Sequence, residues 1–564
     1  MKLKSNVLWV CLWSMAVCLP VCGQMLIPQQ KIVASDRAIG ETGYRNAFFG
    51  TAVALSGDYM VVGAPEESED AQGANTVRYA GAAYIFHRQR NGHWEQVAKL
   101  VLSDRLPYEL FGSQVAISGS TILVSAPYHA NGRPYGSYGR VICFDLGADG
   151  RWWRSDTIYP LDARGGKFGE RLALDANTAV ISSGNLVNDG ATERPVYVYH
   201  RTGSGLAWNV QAQLTPTDDS HERYSTTFGY ALSIWQKRIA VGAWSDDLPD
   251  NGRPTTRHRG AVYIFEFNEA DGQWHRTAKV RAGKQISEPQ DGFGYQKGFG
   301  FGVSIFQDRC LITFANPDLI DFLGESPSYK AYIFHRQKAG TWAFETELMS
   351  VPDFARSRRN YALSLALTDS FALLGIGSND SDASGTFIQY ETGAAHLFQR
   401  TDTTWHQVAK LIPSDALGWS RFGASVALSE RDAVMGSPHE SRGIEGLSWI
   451  NYAGAAYVAN LGSMSKSGSG RVGADPEAEE FSVQLSPNPT NQMLTIRLRT
   501  GADEAVTLTL LNSQGQTMGS KHVPAGHGYQ QINWPVDQLP TGTYLLKAGT
   551  KTRQLTQRML KIGN

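Results

Sequence analysis

Residues 49–65 read FGTAVALSGDYMVVGAP, and this stretch decides the fold. Val53 and Leu55 alternate with smaller residues as in a strand, Ser56-Gly57-Asp58 makes a tight turn, and Tyr59 to Val62 forms a second strand stopped by Gly63-Ala64-Pro65. The phrase returns as FGSQVAISGSTILVSAP from Phe111 and FGASVALSERDAVMGSP from Phe422, with weaker copies from Phe168, Phe228, Phe301 and Tyr361. Successive anchors lie 62, 57, 60, 73, 60 and 61 residues apart. A recurring β-rich unit of this length denotes a stack of similar supersecondary units, most of it scaffold.

Each unit carries two further strand signals. In the first they are GAAYIFHR, from Gly81 to Arg88, and Trp94 to Leu102, joined at Asn91-Gly92. The third strand returns at 139–144, 194–201, 260–265, 330–336, 393–398 and 454–458, and the fourth returns with a tryptophan at 153, 208, 274, 342 and 405. Tryptophan at one station in nearly every copy points to packing between neighbours rather than to sugar stacking. Copies three and six are degraded, with Ser182-Ser183-Gly184 and Gly375-Ile376-Gly377 in place of Gly-Ala-Pro. The seventh copy stops at Leu461 without a fourth strand, whereas Gln30 to Asp36 matches the fourth strands ending in Asp104 and Asp415. The reading is an all-β chain: a seven-bladed β-propeller over 24–462 whose last blade is completed by the N-terminal strand, which removes an open edge.

The chain has 564 residues, with 52 basic against 53 acidic, 11% aromatic residues and 58 glycines. Near-neutrality without a basic stripe speaks against nucleic acid as a partner. Lys2 and Lys4, the apolar run Val7 to Val21 and the small residue Gly23 before Gln24 read as a signal peptide over 1–23. The run is short for a membrane span of about 20 residues, and Leu19-Pro20-Val21-Cys22 is a poor lipid-attachment site, so no membrane span is expected in the mature form. Cys143 and Cys310, each in an apolar strand, are expected as buried free thiols. Residues 463–480 form a Ser/Gly-rich, then acidic linker. Strand signals at Phe481–Leu485, Met493–Leu498, Val506–Leu511, Gln530–Trp534 and Tyr544–Ala548 make 481–564 a compact β-sandwich.

The repeated phrase, its order and its copy number resemble the FG-GAP repeat family, found in the propeller of integrin α chains. Many such blades hold a DxDxDG calcium loop between the first two strands. Here that connection is only a tight turn, too small for six to eight oxygen ligands, so no cofactor is expected. Asp380 and Asp382 are a weak calcium candidate outside the family position. The tail resembles the C-terminal sorting domain of the type IX secretion system of Bacteroidetes. The resemblance is carried by Pro487, Asn488 and Pro489, by the mid-domain turn at Gly515, and by Gly542 and Tyr544 before the last strands. It implies the type IX machinery as a partner, export to the cell surface or beyond, and cleavage with anchoring or release.

The mature chain has no HExxH, GxSxG or CxxC, and Gly292 to Gly302 lacks the βαβ context of a phosphate loop. Variation concentrates between the second and third strands of each unit, in loops that emerge on one face. Tyr135, Tyr138, Arg253, Arg257, Phe322, Tyr390 and Trp449 are the ligand-face candidates. The expectation is a non-catalytic binding or adhesion protein for a glycan or a surface protein. The alternatives are a glycan-active enzyme, whose carboxylate pair would be spatial and hidden from sequence, or a self-assembling surface protein.

Overall fold

The computed structural model describes residues 24–26, 28, 30–36, 46–73, 75–130, 138–161, 166–184, 195–202, 207–216, 227–246, 260–282, 298–314, 330–350, 363–377, 391–402, 404–413, 415, 418–443, 450–462, 482–486, 493–500, 505–512, 514–524, 528–550 and 554–561. They fall into two compact units, Met1–Gly468 and Ser469–Asn564. No helix occurs among them.

Among the described residues the first unit holds seven sheets, six of four antiparallel strands and the sixth in chain order with a fifth strand added to its antiparallel four. The first sheet is Ala52–Ser56, Tyr59–Ala64, Ala82–Arg88 and Trp94–Leu100, in sequence order from inner to outer edge. The inner strand of each sheet packs on that of the next, and Ser425–Leu428 of the seventh returns to Ala52–Ser56. The ring is therefore closed, a β-propeller. Gln30–Ile32 is the outer strand of the seventh sheet, pairing Lys31 with Tyr457 on Ala455–Asn460. A further strand, Gln24–Leu26, adds in parallel to Thr404–Leu411 of the sixth sheet, which the repeat pattern did not announce.

The geometry of the junctions explains the repeated phrase. The Phe rings at 49, 111, 168, 228, 299 and 422 are buried between neighbouring sheets. The glycine after the ring closes against the preceding sheet: a Cβ on Gly50 would lie 2.3 Å from Ala455 O and one on Gly112 2.2 Å from Ala82 O, while one on Gly63 of the second strand would meet that seam from the other side, 2.0 Å from Gly112 O. Gly50 also has φ +92°, which L side chains rarely adopt. The phrase is thus a backbone-to-backbone seam. The fifth anchor is Phe299, not Phe301: Phe299 is the buried ring, Gly300 takes the left-handed conformation, and Phe299 bridges Gly260. The two Phe-Gly pairs of Phe299-Gly300-Phe301-Gly302 are equivalent in sequence, and only the sheet register separates them.

In the second sheet it is Trp152 that takes the inner station, opposite Leu146 and edge-on to Tyr59 at 5.4 Å, while Trp153 is exposed. Elsewhere the recurrent tryptophans do join neighbours: Trp274 Nε1 donates to Gln211 and Trp405 Nε1 to Glu345. Cys143 and Cys310 are buried and free, and burial pushes both thiols up.

The second unit pairs a three-stranded sheet with a four-stranded one around Leu494, Ile496, Leu508, Leu510, Trp534 and Leu546. Among its described residues it has seven strands where sequence signals marked five. The two additions, Thr517–Val523 and Gln554–Lys561, are the edges of the four-stranded sheet. Edge strands bury less and carry polar residues, which weakens the alternation that reveals a strand.

A candidate ligand-binding face at the FG end

In a sheet of four antiparallel strands, the connection between strands two and three leaves from the same end as the connection to the next sheet. At several seams among the described residues these two connections are joined by backbone hydrogen bonds. Tyr108, Leu110 and Phe111 N–H donate to the carbonyls of Arg78, Tyr79 and Ala80 between the first and second sheets. Phe48 and Phe49 donate to Tyr452 and Ala453 between the seventh and first, and Arg421 and Phe422 donate to Glu391 and Thr392 between the sixth and seventh. Phe168 donates to Tyr138 between the second and third.

This lacing forces side-chain-bearing residues into left-handed backbone. Phe48, Tyr79, Tyr108, Leu110, Lys167, Glu391, Trp419, Arg421 and Tyr452 all have φ between 47° and 70°. The conformation costs roughly 1–2 kcal/mol per residue, and such outliers concentrate where a protein holds groups for function. Tyr108 and Trp419 occupy one station, three residues before the anchoring Phe, and Tyr79 and Tyr452 another, two before the third-strand glycine. Tyr108 is 49%, Trp419 48%, Tyr452 39% and Tyr128 38% exposed. They sit in clusters: Tyr79 meets Tyr108 edge-on at 5.6 Å with the Arg78 guanidinium over both, and Phe48 stacks on Tyr452 at 5.8 Å beside His439. Lys167 lies over Tyr128 at 4.8 Å, and Arg421 donates to Glu391 at 2.8 Å. Burial raises the Glu66 carboxyl, an effect Arg78 partly offsets.

Beneath this face lies an ionic layer. Strands three and four meet there as Tyr84 opposite Lys99, Tyr263 opposite Lys279 and Tyr457 opposite Lys31. In each pair a carboxylate ties both: the partly buried Glu67 and the buried Asp246 and Glu440 accept from the tyrosine hydroxyl and face the ammonium. The tyrosine hydroxyls are held far above their ordinary range by burial, then by these carboxylates. A second carboxylate arrives from the fourth strand of the preceding sheet: Asp36 to Lys99 and Asp415 to Lys31, both at 2.5 Å. The second sheet has Ile142 opposite Thr157 and relocates the charges. Its Arg140 binds Asp104 at 2.6 Å and buried Glu109 at 2.9 Å, and Glu109 in turn holds His129.

Of the ligand-face candidates read from the sequence, only Tyr138 is described, half-buried, its N–H donating to His129 O within its own loop and its carbonyl accepting from Phe168 in the seam. Tyr135, Arg253, Arg257, Phe322, Tyr390, Trp449, Asp380 and Asp382 lie outside the described residues. The loops between strands two and three make only part of this face. The connections between sheets supply Tyr108 and Trp419, which sequence reasoning missed. An aromatic three residues before the Phe-Gly anchor was the signal available. At the family's calcium position, five sheets have two-residue turns, as between Ser56 and Tyr59. In the tail, Asn512 Oδ1 accepts from Gln514 and Gln516 N–H around Gly515, and Tyr544 O–H donates to Pro540 O at 2.7 Å beside the start of the Gly542–Gly549 strand. Pro487, Asn488 and Pro489 lie outside the described residues.

The FG-GAP repeat model matches residues 28–86, 94–139, 208–265 and 405–459, and the secretion system C-terminal sorting domain model matches 484–562. No curated protein sequence matches the chain significantly. Among solved structures, a chain from S. cerevisiae dbp5 bound to nup159, gle1, IP6 and ADP is 12% identical, with 78% of this chain and 95% of that one covered and a TM-score of 0.38. A putative 6-phosphogluconolactonase from Bacteroides uniformis is 9% identical over 65% and 87% of the two chains, with a TM-score of 0.36. The N-terminal domain of Nup159 is 12% identical over 78% and 99%, with a TM-score of 0.35. The matches take in strands of the first, second, third, fourth, sixth and seventh sheets and nearly the whole tail, so the chain carries FG-GAP repeats in its propeller and a type IX C-terminal sorting domain, which indicates export to the cell surface or beyond.

Proposed function

We propose that this is a binding protein of the cell surface or its surroundings, with the propeller as a non-catalytic scaffold whose ligand seats on the FG end. The observation that carries this reading is where apolar side chains meet solvent. Ten large ones are exposed in the propeller among the described residues, and seven of them lie in FG-end loops, Tyr108, Tyr128, Trp419 and Tyr452 included. Exposed apolar groups gathered on one face of a rigid body mark an interaction site. The non-catalytic reading is supported by Glu67, Asp246 and Glu440, which are engaged by lysine and tyrosine in the interior. A glycan or a surface protein is the ligand class, and the type IX machinery is the partner in export.

The test presents the full chain to arrays of glycans and matrix proteins beside two variants. One carries Tyr79→Ser, Tyr108→Ser, Trp419→Ser and Tyr452→Ser. The other carries Trp153→Ser, on an outer strand. Binding lost only in the first supports the reading. Binding indifferent to the first, or consumption of the captured ligand, refutes it.

A further inference from the structure

Resting on the binding-face reading, we infer that the FG end takes a linear, uncharged polysaccharide, bound by ring stacking at successive seams between sheets. Four consecutive seams, from the sixth sheet through the seventh, first and second to the third, carry half-exposed rings. They are Trp419, the Phe48–Tyr452 stack, the Tyr79–Tyr108 pair and Tyr128. Tyr108 and Trp419 share one station of the repeat and Tyr79 and Tyr452 another, so the rings recur with the rotation of the ring of sheets. A set of equivalent platforms in sequence around an arc suits a ligand that itself repeats. It suits a compact molecule poorly, because a compact molecule would need one pocket.

The chemistry of each platform narrows the class. An aromatic face gathers the C–H face of a sugar ring, while neighbouring polar groups serve its hydroxyls. Here every platform has such groups at its rim: Arg78, Lys167 and the Arg421–Glu391 pair with His439. A protein partner of ordinary size wants a contiguous apolar centre depleted of charge, and this arc is interrupted by Arg78, Lys167 and the Arg421–Glu391 pair. The cations are also balanced. Arg421 is paired with Glu391 and Arg78 lies by Glu66, and of these cations Lys167 alone, over Tyr128, has no carboxylate beside it among the described residues, so the arc offers little surplus positive charge to an acidic polymer. Left-handed backbone fixed by seam hydrogen bonds holds Tyr79, Tyr108 and Tyr452 in place before a ligand arrives, and Trp419 shares that backbone conformation. Such preorganisation removes much of the ordering cost of binding.

The experiment is affinity electrophoresis of the full chain in native gels containing xylan, glucomannan, hydroxyethyl cellulose or dextran, with alginate and heparin as anionic comparators. Calorimetry then follows any retarding glycan as oligosaccharides of increasing length, at low and high salt. The expected result is retardation by at least one neutral polymer, with affinity that climbs with oligomer length and is indifferent to salt. Each of Tyr108→Ala, Trp419→Ala and Tyr452→Ala should weaken it by about tenfold or more. Trp419→Tyr should restore most of the affinity, and unchanged melting temperatures would show that each variant is folded. Retardation by the acidic polymers alone, lost in salt, overturns the inference. So does the absence of retardation by every neutral polymer. If a protein is then captured through the same rings, the binding face stands and the saccharide does not; if no ligand depends on them, both fall.

Discussion

Lys31 tests how the ring is closed. It lies on a three-residue strand, and its ammonium meets Asp415 at 2.5 Å and the wholly buried Glu440 at 3.6 Å, with its own side chain 9% exposed. At 3.6 Å, with an effective dielectric near 20, a unit-charge attraction is about 4–5 kcal/mol before desolvation is counted. Removing one member of such a buried set leaves the others uncompensated, at a cost of about 3–5 kcal/mol. Lys31→Ala should therefore lower the stability of the propeller by about that amount. Lys99→Ala, the same station of the first sheet facing Glu67 and Asp36, should cost a similar amount. Adding Glu440→Gln to Lys31→Ala should recover part of the loss, because it removes the stranded charge. The assay is chemical denaturation followed by tryptophan fluorescence, with the shift in midpoint at constant slope read as the stability change. A Lys31→Ala cost below about 0.5 kcal/mol, the level of an ordinary surface substitution, beside a full cost for Lys99→Ala would refute the reasoning. The N-terminal strand would then be an ornament and not the closing strand.

The seams and the buried histidines give further expectations. Gly50→Ala places a Cβ 2.3 Å from Ala455 O at φ +92° and should cost well over about 2 kcal/mol in thermal melts, whereas Gly57→Ala, with open space around it, should cost only about 1 kcal/mol. Burial, then Lys410, holds His396 at about 3, and burial, then Arg421, holds His439 at about 4, both below the ordinary histidine value. The unfolded chain therefore takes protons first, so stability is full above about pH 6.5 and falls as pH drops through the window to about 3–4, by up to about 1.4 kcal/mol per pH unit for each group. His396→Tyr, which installs the tyrosine found at this station in five other sheets, should flatten that loss in melts run across the window. In the tail, Tyr544→Phe loses the bond to Pro540 O and should lower the stability of that unit by about 1 kcal/mol in denaturant titrations.

Much of this architecture was legible because its determinants are local and repeated. Phe49-Gly50 and Gly63-Ala64-Pro65 recur since each seam demands a buried ring and glycines that let backbones touch. Residues 30–36 declared themselves as a displaced fourth strand because Lys31 and Asp36 have counterparts at Lys99 and Asp104, and those residues meet charges on adjoining sheets. The face was less legible. Tyr108 and Trp419 stand in connections between sheets, and nothing in their sequence distinguishes a ring aimed at solvent from one aimed inward.

The sequence by itself determined the repeat, the strand order within each unit, the partner of the orphaned N-terminal strand and the nature of the tail, since each depends on residue types at short range. Tertiary structure alone decided which of two Phe-Gly pairs anchors the fifth sheet and which of Trp152 and Trp153 packs inward, for a one- or two-residue register is invisible until strands pair. It alone assembled Asp36 with Lys99 and Asp415 with Lys31, because closure of the ring joins residues up to 384 positions apart. It alone gathered the exposed rings at one end, because antiparallel strands return two separate connections to the same side and their shared hydrogen bonds turn the rings outward.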